Sequence, residues 1–477
     1  MRKQGIFALV ILFLVTLPVF VSAGSIVEKI GDPPNPITVI YLKGSPYEMG
    51  FIQGRTLKND IRALYDSLLT AVSRYGSLTL LDIAYKQLEP YIPQAYKDEM
   101  QGLADGAGVD LQKVHRVHAI PDVSEMDCSF FAAWGKATVD GNLYQIRALD
   151  YATHWHLQEH PAVLVCEPDS GRRFVNVGWV GFIGVVSGMN ADGLAVSEIG
   201  ESFDKAHQTM AAEPMPFVLR DVLQYGTTLS QAVDIISDAH RTSSFLYCVG
   251  DSKIPSARAF KTSPTVCDVY SDSTSPNPFL DNVVYFSMGV NSHWNSDVYH
   301  FLQPRHGKID VQTGIDLMRT LGTASLHGVV YDPAHQKIWV ANAGVHATPA
   351  YRRTFWEIDL SRADSIFAHY TATGISTRPK TIPQELRLFP AYPNPFNMTT
   401  RIEFAIPAGE TGPVELAVFD VRGRKIATLV HGSLQAGRHT RFWNGTAATG
   451  QVVSSGLYFL RLEAGRNSRT QRVLLLK

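Results

Sequence analysis

A cysteine followed along the chain by an arginine and an aspartate is the first feature of this sequence that can do chemistry. Cys128 begins the stretch CSFFAAWGKATVDGNLYQIRALDY, and Arg147 and Asp150 lie near its end. No second cysteine stands at metal-binding or redox spacing. A free thiol is mostly protonated at neutral pH, so nucleophilic work requires a base or a lowered pKa. Cleavage of the bond after Asp127 would give Cys128 an α-amino group with a pKa of about 8, which can serve as that base.

This hypothesis requires a strand that carries the nucleophile, a turn, and a return strand. Asp140-Gly141-Asn142 supplies a turn signal, because Asp-Gly pairs favour tight reversals between strands. Arg147 and Asp150 then fall on the return strand or at its end. An aspartate there would hold the new amine, and an arginine would stabilise the thiolate or a substrate carbonyl.

The elements that must position these residues follow from hydrophobic periodicity. Apolar residues at helical spacing between Pro46 and Val72 predict an amphipathic helix, and helical sequence continues to about Gly106. From Cys128 onward, short β-rich runs separated by turn pairs predict strands. Helical stretches at 216–224 and 230–239 precede a second set of strands. This order indicates a layered sheet-and-helix domain.

The first residues of the chain predict export. Arg2 and Lys3 precede an apolar run, and Val21-Ser22-Ala23 offers a cleavage site, so residues 1–23 are predicted to be a signal peptide. No other run of about 18 apolar residues is present, and no stable membrane span is expected. The formal net charge of −1 gives no reason to expect nucleic acid as a partner.

Three motifs in order resemble those of known hydrolases. GNLYQIRALDY resembles the second-strand signature of the choloylglycine hydrolase and peptidase C45 families, and the latter includes penicillin acyltransferase (acyl-CoA:6-aminopenicillanic acid acyltransferase). GMNADGLAVSEIG (188–200) and SLHGVVYDPAHQKIWVANA (325–343) are similar to later segments of these families. The resemblance covers roughly residues 40–360. It implies an α+β fold, the four-layer αββα sandwich of N-terminal-nucleophile (Ntn) hydrolases, with 24–127 as an N-terminal helical segment or propeptide and 128–376 as the catalytic region.

By position, the resemblance implies catalytic roles for four residues. Cys128 is the nucleophile, Arg147 and Asp150 support it, and Asn190 lies near the oxyanion region. The asparagine that some relatives carry after GLA is replaced here by SEIG, so Asn190, Glu198 or a backbone N–H must serve instead.

Other residues of the catalytic region are expected to contact substrate. A second family asparagine is replaced by Thr242-Ser243-Ser244, and Asn291 is a possible substitute. The histidines of HWHLQEH are expected at the mouth of the pocket. A metal site formed by His154, His156 and His160 is the alternative, although zincin spacing is absent. The residues predicted to bind substrate are Trp134, Tyr151, His154 and Asn291.

The predicted activity is hydrolysis or transfer of an acyl group at a linear amide bond of a small acylated substrate, with no metal or organic cofactor. The Cys128 thiol would first attack the Asp127 carbonyl and cut its own chain, and then form an acyl-enzyme with substrate. Ester or phospholipid deacylation remains open, since a thiol nucleophile serves both carbonyls. A catalytically degenerate, surface-displayed binding protein is the alternative from another class, because both family asparagines are missing.

The C-terminal part of the chain differs in character. Residues 377–386 lie in a proline-rich stretch that predicts a linker. Residues 387–477 resemble the immunoglobulin-like FlgD-type domain and related C-terminal sorting domains, which implies an all-β sandwich, export or surface attachment, and bacterial secretion machinery of a type IX-like kind as a partner. Among the remaining cysteines, Cys166 is expected in the core, and Cys248 and Cys267 either form a disulfide or remain free.

Overall fold

The computed structural model describes most of the chain that follows the predicted signal peptide. Residues 1–23 and most of the predicted linker, 377–384, lie outside the described residues. In the described ranges, no helix is long and apolar enough to cross a membrane. The described ranges are 26–123, 127–368, 385–391, 394–397, 399–408, 412–434 and 436–476.

Helices occur in three groups, before the first long hairpin, in the middle of the catalytic region and towards its end. The helix predicted from Pro46 is interrupted at Leu57, so that two helices replace one. The helices are α1 Pro46–Thr56, α2 Lys58–Tyr75, α3 Leu78–Leu88, α4 Gln94–Ala107, α5 Leu111–Val123, α6 Met215–Tyr225, α7 Leu229–Asp238, α8 Trp294–Leu302, α9 Val311–Leu321 and α10 Ala363–Ala368.

The strands confirm most of the β-rich runs read from the sequence. The run IGVVSGM is shorter than expected, since only its end belongs to a strand. The strands up to residue 359 are β1 Val27–Ile30, β2 Ile37–Gly44, β3 Asp127–Gly135, β4 Gly141–Asp150, β5 Pro161–Pro168, β6 Phe174–Trp179, β7 Ser187–Asn190, β8 Leu194–Glu201, β9 Ser244–Asp251, β10 Ser256–Thr262, β11 Cys267–Tyr270, β12 Val283–Ser287, β13 His327–Asp332, β14 Lys337–Asn342 and β15 Trp356–Asp359.

Two sheets stack at the centre of the catalytic region. The first has the strand order β1-β2-β5-β6-β7-β8-β9-β10-β11, and the second has the order β12-β3-β4-β13-β14-β15. Most neighbouring strands are antiparallel, but β2 and β5 run parallel. Buried side chains of both sheets, such as Val39, Val163, Val329 and Tyr331, share one apolar cluster between them.

Helices cover the outer face of each sheet. α1 contacts β2 and β5, and α6 and α7 contact strands β7 to β10 of the first sheet. α8 and α9 contact β12, β4 and β13 of the second sheet. The order is therefore helix, sheet, sheet, helix, which confirms the predicted αββα layering.

Helices α1 and α4 approach each other closely through glycines on both. A Cβ at Gly50 would overlap the carbonyl oxygen of Glu99, and a Cβ at Gly102 would overlap that of Tyr47. Backbones can come this close only where side chains are absent. The contact fixes the helical layer that precedes β3, the strand that carries Cys128.

The C-terminal part is all-β, as predicted. Its two sheets have the orders β16-β17-β20 and β19-β18-β21-β22. Leu416, Leu460, Trp443 and Val473 lie in the apolar core between them. The strands are β16 Arg387–Leu388, β17 Thr400–Ile406, β18 Val414–Asp420, β19 Lys425–Gly432, β20 Gly437–Trp443, β21 Gly456–Ala464 and β22 Asn467–Leu475.

The structure corrects the possible disulfide between Cys248 and Cys267. Both thiols are free. Strand β10 lies between their strands, with Ala259 opposite Cys248 and Thr262 opposite Cys267. Neighbouring strands are about 4.8 Å apart, so two strand spacings separate the cysteines by more than a disulfide can span. Cys166 is buried, as expected for a core residue.

Candidate active site

Cys128 lies on the hairpin that the sequence predicted. β3 and β4 pair so that Cys128 is opposite Leu149 and the Asp127 backbone is opposite Asp150. Arg147 belongs to β4 and pairs with Val329 of β13 on its other side. The alternation of side chains along a strand places Arg147 and Leu149 on one face, so Arg147 lies close to the nucleophile candidate.

The Cys128 thiol is fully buried in the uncut chain. Burial raises the pKa of the thiol above its usual range, and the neighbouring positive charge of Arg147 opposes that rise. The Arg147 guanidinium lies near enough to the Cys128 sulfur for the two groups to shift each other's pKa. The thiol is therefore protonated in this state, and a new base would be needed to activate it.

Arg147 forms a buried ion pair with a carboxylate from the other sheet. Its Nη2 donates to Oε1 of Glu198 on β8, and both side chains are wholly inaccessible. Nη1 donates to the carbonyl of Ala148 at 2.7 Å. Burial raises the pKa of Glu198, and Arg147 opposes the rise. Glu198 thus holds the arginine whose charge acts on the Cys128 thiol.

Asp150 is held by the segment that leads into β13. Its Oδ2 accepts hydrogen bonds from Thr323 Oγ1 at 2.5 Å and from the Ala324 N–H at 3.2 Å, and its Oδ1 accepts from the Ser325 N–H at 2.7 Å. Ser129, next to Cys128, lies 3.1 Å from Thr323 through the two hydroxyl oxygens. A chain of hydrogen-bonding groups therefore connects Asp150 to the nucleophile strand.

A turn after β12 holds the backbone of Cys128. The N–H of Met288 donates to the Cys128 carbonyl at 2.8 Å. Met288 has φ of 56°, a conformation that non-glycine residues adopt rarely. Asn295 fixes the turn, because its Oδ1 accepts from the Ser287 N–H at 2.7 Å and its Nδ2 donates to the Gly289 carbonyl at 2.9 Å.

Two cavities lie at the end of β4, where Asp150 and Tyr151 are found. The larger has a volume of about 650 Å³ and mixed polar and apolar walls that include Ser129, Asp150 and Thr323. The narrower one, of about 40 Å³, is almost wholly apolar and lies between α2, α5 and the segment after β6. Tyr151 is part of the wall of both.

The predicted substrate residues divide into those at the cavities and those away from them. Tyr151 lies at the junction of the two cavities, and its contact with substrate remains a prediction. Asn291 is exposed in the turn before α8 and does not line the larger cavity, although Met288 and Trp294 on either side of it do. Trp134 is 6% exposed and belongs to the apolar core, so the structure places it away from both cavities.

Asn190 is also placed away from the cavities. Its Nδ2 donates to the carbonyls of Leu223 and Gly226, each at 2.9 Å. Its Oδ1 accepts from the N–H groups of Asp192 and Leu194, each at 3.0 Å. These four bonds tie the β7–β8 turn to the end of α6. The predicted position near the oxyanion is therefore corrected, because the side chain serves as a turn anchor.

The three histidines of HWHLQEH face different partners. His154 stacks between Tyr75 and Trp155, and its ring centroid is 4.7 Å from that of Trp155. His156 Nδ1 lies 2.8 Å from a Glu159 oxygen, and His160 Nδ1 lies 3.5 Å from an Asp60 oxygen. In the described part of the chain, no three His, Cys, Asp or Glu side chains converge as a metal site would require. His154 lies near the mouth, since Trp155 lines the larger cavity.

Sequence reasoning missed several residues that surround the nucleophile. Thr323 and Ser325 hold Asp150, but only Ser325 belongs to one of the three motifs that carry the family resemblance. Ser287, whose hydroxyl oxygen is 2.7 Å from that of Ser129, had no local signal. A hydroxyl residue near a strand end is too common to be singled out, so these contacts require the fold.

A buried carboxyl lies at the end of α5, shortly before the proposed cut. Asp122 Oδ1 accepts from the Met215 N–H at 2.9 Å and from Thr242 Oγ1 at 2.7 Å. Burial raises the pKa of Asp122 to about 7, although these two hydrogen bonds oppose the rise. Thr242 therefore helps to anchor the helix that precedes the Asp127–Cys128 bond.

We expect Asp122 to make the protein less stable as the pH rises. The unfolded carboxyl has a pKa of about 3.9, so the fold favours the protonated form. That stabilisation is complete below about pH 4 and is lost as the pH rises through about 7. Between about pH 5 and pH 7.5, the free energy of unfolding should fall by about 2 kcal/mol through this group. Urea unfolding of wild type and Asp122→Asn at both pH values measures the difference.

The control is Asp66→Asn, because the Asp66 side chain is 65% exposed. This variant should keep the wild-type pH dependence. If Asp122→Asn also follows the wild-type curve at every pH, the stabilising proton is not on Asp122.

Comparisons with known proteins agree with both parts of the chain. Residues 137–283 match the family model described as acyl-coenzyme A:6-aminopenicillanic acid acyl-transferase. Residues 390–476 match the model of a secretion system C-terminal sorting domain. Both resemblances read from the sequence are confirmed.

Relatives that match most of the chain have low sequence identity to it. Protein dcd1A of Dictyostelium discoideum is 28% identical over 386 residues, which cover 70% of this chain and 87% of that protein. Protein dcd1B of the same organism is 25% identical over 394 residues, or 72% of this chain and 79% of that protein. A solved Caenorhabditis elegans N-acylethanolamine-hydrolyzing acid amidase ortholog has 17% identity and a TM-score of 0.37, covering 48% of this chain and 100% of its own. The fold rests on the strand order of this chain and not on that likeness.

The family match and the layered fold together support an enzyme that transfers acyl groups. The C-terminal match is typical of exported proteins and indicates a secreted or cell-surface location.

Proposed function

We propose that this protein is an exported cysteine Ntn hydrolase that cuts its own chain at Asp127–Cys128 and then cleaves or transfers the acyl group of a linear amide. The observation that carries the proposal is that Asp150 of the Cys128 hairpin lines a mixed cavity, and that Tyr151, directly after the hairpin, lines both this cavity and an apolar one. The residue next to Cys128, Ser129, lines the mixed cavity. The match to an acyltransferase family adds support.

Self-cleavage would create the base that the buried thiol lacks. The Cys128 sulfur attacks the Asp127 carbonyl carbon, the C–N bond breaks, and the thiol proton passes to the freed amine. Water then hydrolyses the thioester and releases Asp127 as a carboxyl terminus. Cys128 now carries an α-amino group beside its thiol, held near Asp150 because the two strands pair at this point.

Catalysis would repeat the same chemistry on a substrate. The amine takes the thiol proton, the sulfur attacks the amide carbonyl, and the C–N bond breaks as the leaving amine is protonated. Water or an acceptor amine resolves the resulting thioester. The Arg147 guanidinium, fixed by Glu198, stabilises the thiolate and the developing negative charge.

The cavities suggest how the two halves of a substrate are divided. The amine part would occupy the larger cavity, whose walls carry Asp150, Ser287 and Thr323. The end of the acyl chain would enter the apolar cavity, which polar groups could not enter without losing their hydrogen bonds with water. The proposed substrate is therefore an N-acyl amine with an apolar chain.

We expect kcat/KM to rise with the length of the acyl chain until its end fills the apolar cavity of about 40 Å³, because each methylene buried is worth about 0.8 kcal/mol. Val117→Phe fills the apolar cavity, since Val117 is part of its wall. The variant should lose about tenfold in kcat/KM for long chains and little for short ones. Hydrolysis of N-acyl amines of graded chain length by the processed protein measures both effects.

Leu80→Phe is the matched control, because Leu80 is 63% exposed on α3 and not part of that wall. It should leave the dependence on chain length unchanged. A processed protein that hydrolyses no N-acyl amine would refute the proposed activity, and equal losses for short and long chains in Val117→Phe would refute the proposed acyl site.

A further inference from the structure

A buried ion pair joins the C-terminal domain to the catalytic region. Arg401 on β17 is 6% exposed, and its Nη1 donates to Oδ2 of Asp221 on α6 at 2.5 Å. Tyr96 on α4 donates its hydroxyl proton to the other oxygen of Asp221. Burial raises the pKa of Asp221, and the Arg401 charge opposes that rise. Three elements from two parts of the chain therefore meet at one carboxylate.

Other contacts surround this pair. Arg438 on β20 lies 3.1 Å from Asp98 on α4. The rings of Tyr225 on α6 and Phe442 on β20 meet edge to face, with centroids 5.5 Å apart. Phe442 is opposite Arg401 in the pairing of β17 and β20, so both side chains emerge from the same face of that sheet. The contact is a continuous surface of mixed apolar and charged character.

Burial of two charges is costly unless they pair with good geometry. Removing water from one carboxylate or guanidinium costs several kcal/mol, and an attraction at hydrogen-bond distance is needed to offset that cost. Arg401 and Asp221 lie far apart in the sequence, and both are buried where the two parts of the chain meet. A loosely tethered domain would leave both in water, where such pairs contribute little.

We propose that the C-terminal domain is docked on α4 and α6 as a fixed part of the folded protein, with Arg401 and Asp221 as the central pair. α6 packs against β7 and β8, and β8 carries Glu198. The same helix holds Asp122 through the N–H of Met215. Docking therefore stabilises the side of the catalytic region that holds Arg147. This inference does not depend on the proposed catalytic role of Cys128.

Docking also restricts how export machinery can bind this domain. The catalytic helices cover Arg401 on the face of β17 and β20, while Phe442 on the same face stays 37% exposed. A receptor that needs the covered part of this face must separate the domain first, whereas the other sheet, β19-β18-β21-β22, is not part of this contact. One surface of the sorting domain thus binds the catalytic region of the same chain.

The test uses the full chain with a site for a specific protease inserted after residue 376, cut after folding. We expect the two parts of the wild type to co-elute in size-exclusion chromatography. Arg401→Met leaves Asp221 buried without its partner and should weaken the association of the cut parts on the order of 100-fold. The double variant Arg401→Met with Asp221→Asn removes both charges and should recover much of that loss.

Arg424→Met is the matched control, because Arg424 pairs with Asp420 within the C-terminal domain and its side chain is 72% exposed. It should behave like wild type. Separation of the wild-type parts on cutting would overturn the docking. Arg401→Met parts as tightly bound as those of the control would overturn the role of the ion pair, and a double variant as weak as the single one would do the same.

Discussion

Cys128→Ala should leave the chain in one piece and remove its activity. The sulfur is the atom that attacks both the Asp127 carbonyl and the substrate in the proposed mechanism, so neither step has a substitute. Loss of a covalent nucleophile typically lowers kcat by about ten-thousand-fold or more. Intact-mass measurement should give one chain for the variant and two fragments, joined at Asp127 and Cys128, for wild type. Activity against an N-acyl amine is measured on the same samples.

Cys267→Ala provides the control, because Cys267 is a free, half-buried thiol on β11. It should be processed and active like wild type. Removal of the Cys128 sulfur changes little volume in the core, so the variant should fold and unfold in a cooperative thermal transition. Fragments that persist in Cys128→Ala would show that another group cuts the chain. An uncut wild type that remains active would rule out the α-amino group as the base.

Gly102→Val should prevent the helical layer from forming correctly. A side chain at Gly102 would overlap the Tyr47 carbonyl of α1, and no rotamer avoids a clash that begins at Cβ. Overpacking of this kind, together with loss of the helix contact, should lower the free energy of unfolding by about 3 kcal/mol or more. Chemical denaturation followed by circular dichroism measures the change, and low soluble yield would be the extreme form of the same result.

Gly76→Ala is the comparison for this variant. Gly76 follows α2, and a Cβ there would meet nothing within 4 Å. Its φ of −166° is open to any residue. The variant should be as stable as wild type or slightly more stable, because alanine restricts the unfolded chain. A Gly102→Val protein with wild-type stability would mean that α1 and α4 do not pack as described.

The hairpin that carries Cys128 could be predicted because its signals are local. Asp140-Gly141 marks the turn, and alternating residues mark each strand. The contacts of Arg147 and Asp150 could not be predicted in the same way. Glu198 arrives from the opposite sheet, and Thr323 arrives from a segment far along the chain, so the sequence shows neither as a neighbour.

Helices α8 and α9 were not predicted from the sequence, for a different reason. The sequence analysis found strands on both sides of them and no helical layer between. α9 contains Gly314, which opposes a helix by intrinsic propensity. A Cβ at Gly314 would come 2.8 Å from a methyl carbon of Ile146, so the glycine allows the helix to approach β4. The capping box of Asp310 and Thr313 was a readable start signal.

The predicted position of Asn190 near the oxyanion was wrong, and the physical reason could be read from the sequence. Asn190 precedes Asp192-Gly193, and asparagine before such a pair favours a turn because its side chain bonds to nearby backbone. The structure follows that local preference. Asn291, in contrast, lies in the turn between Met288 and Trp294, so its predicted contact with substrate remains a prediction.

The parallel pairing of β2 with β5 determines what the proposed cut would produce. β2 precedes Cys128 and β5 follows it, yet seven residues of each lie side by side in one sheet. Breaking the covalent link would thus create an obligate heterodimer whose smaller subunit supplies two sheet strands and five helices. Denaturing electrophoresis would separate two bands, whereas native mass spectrometry would detect a single particle. The upstream fragment would then be a permanent subunit of the enzyme, and it would not be discarded after the cut.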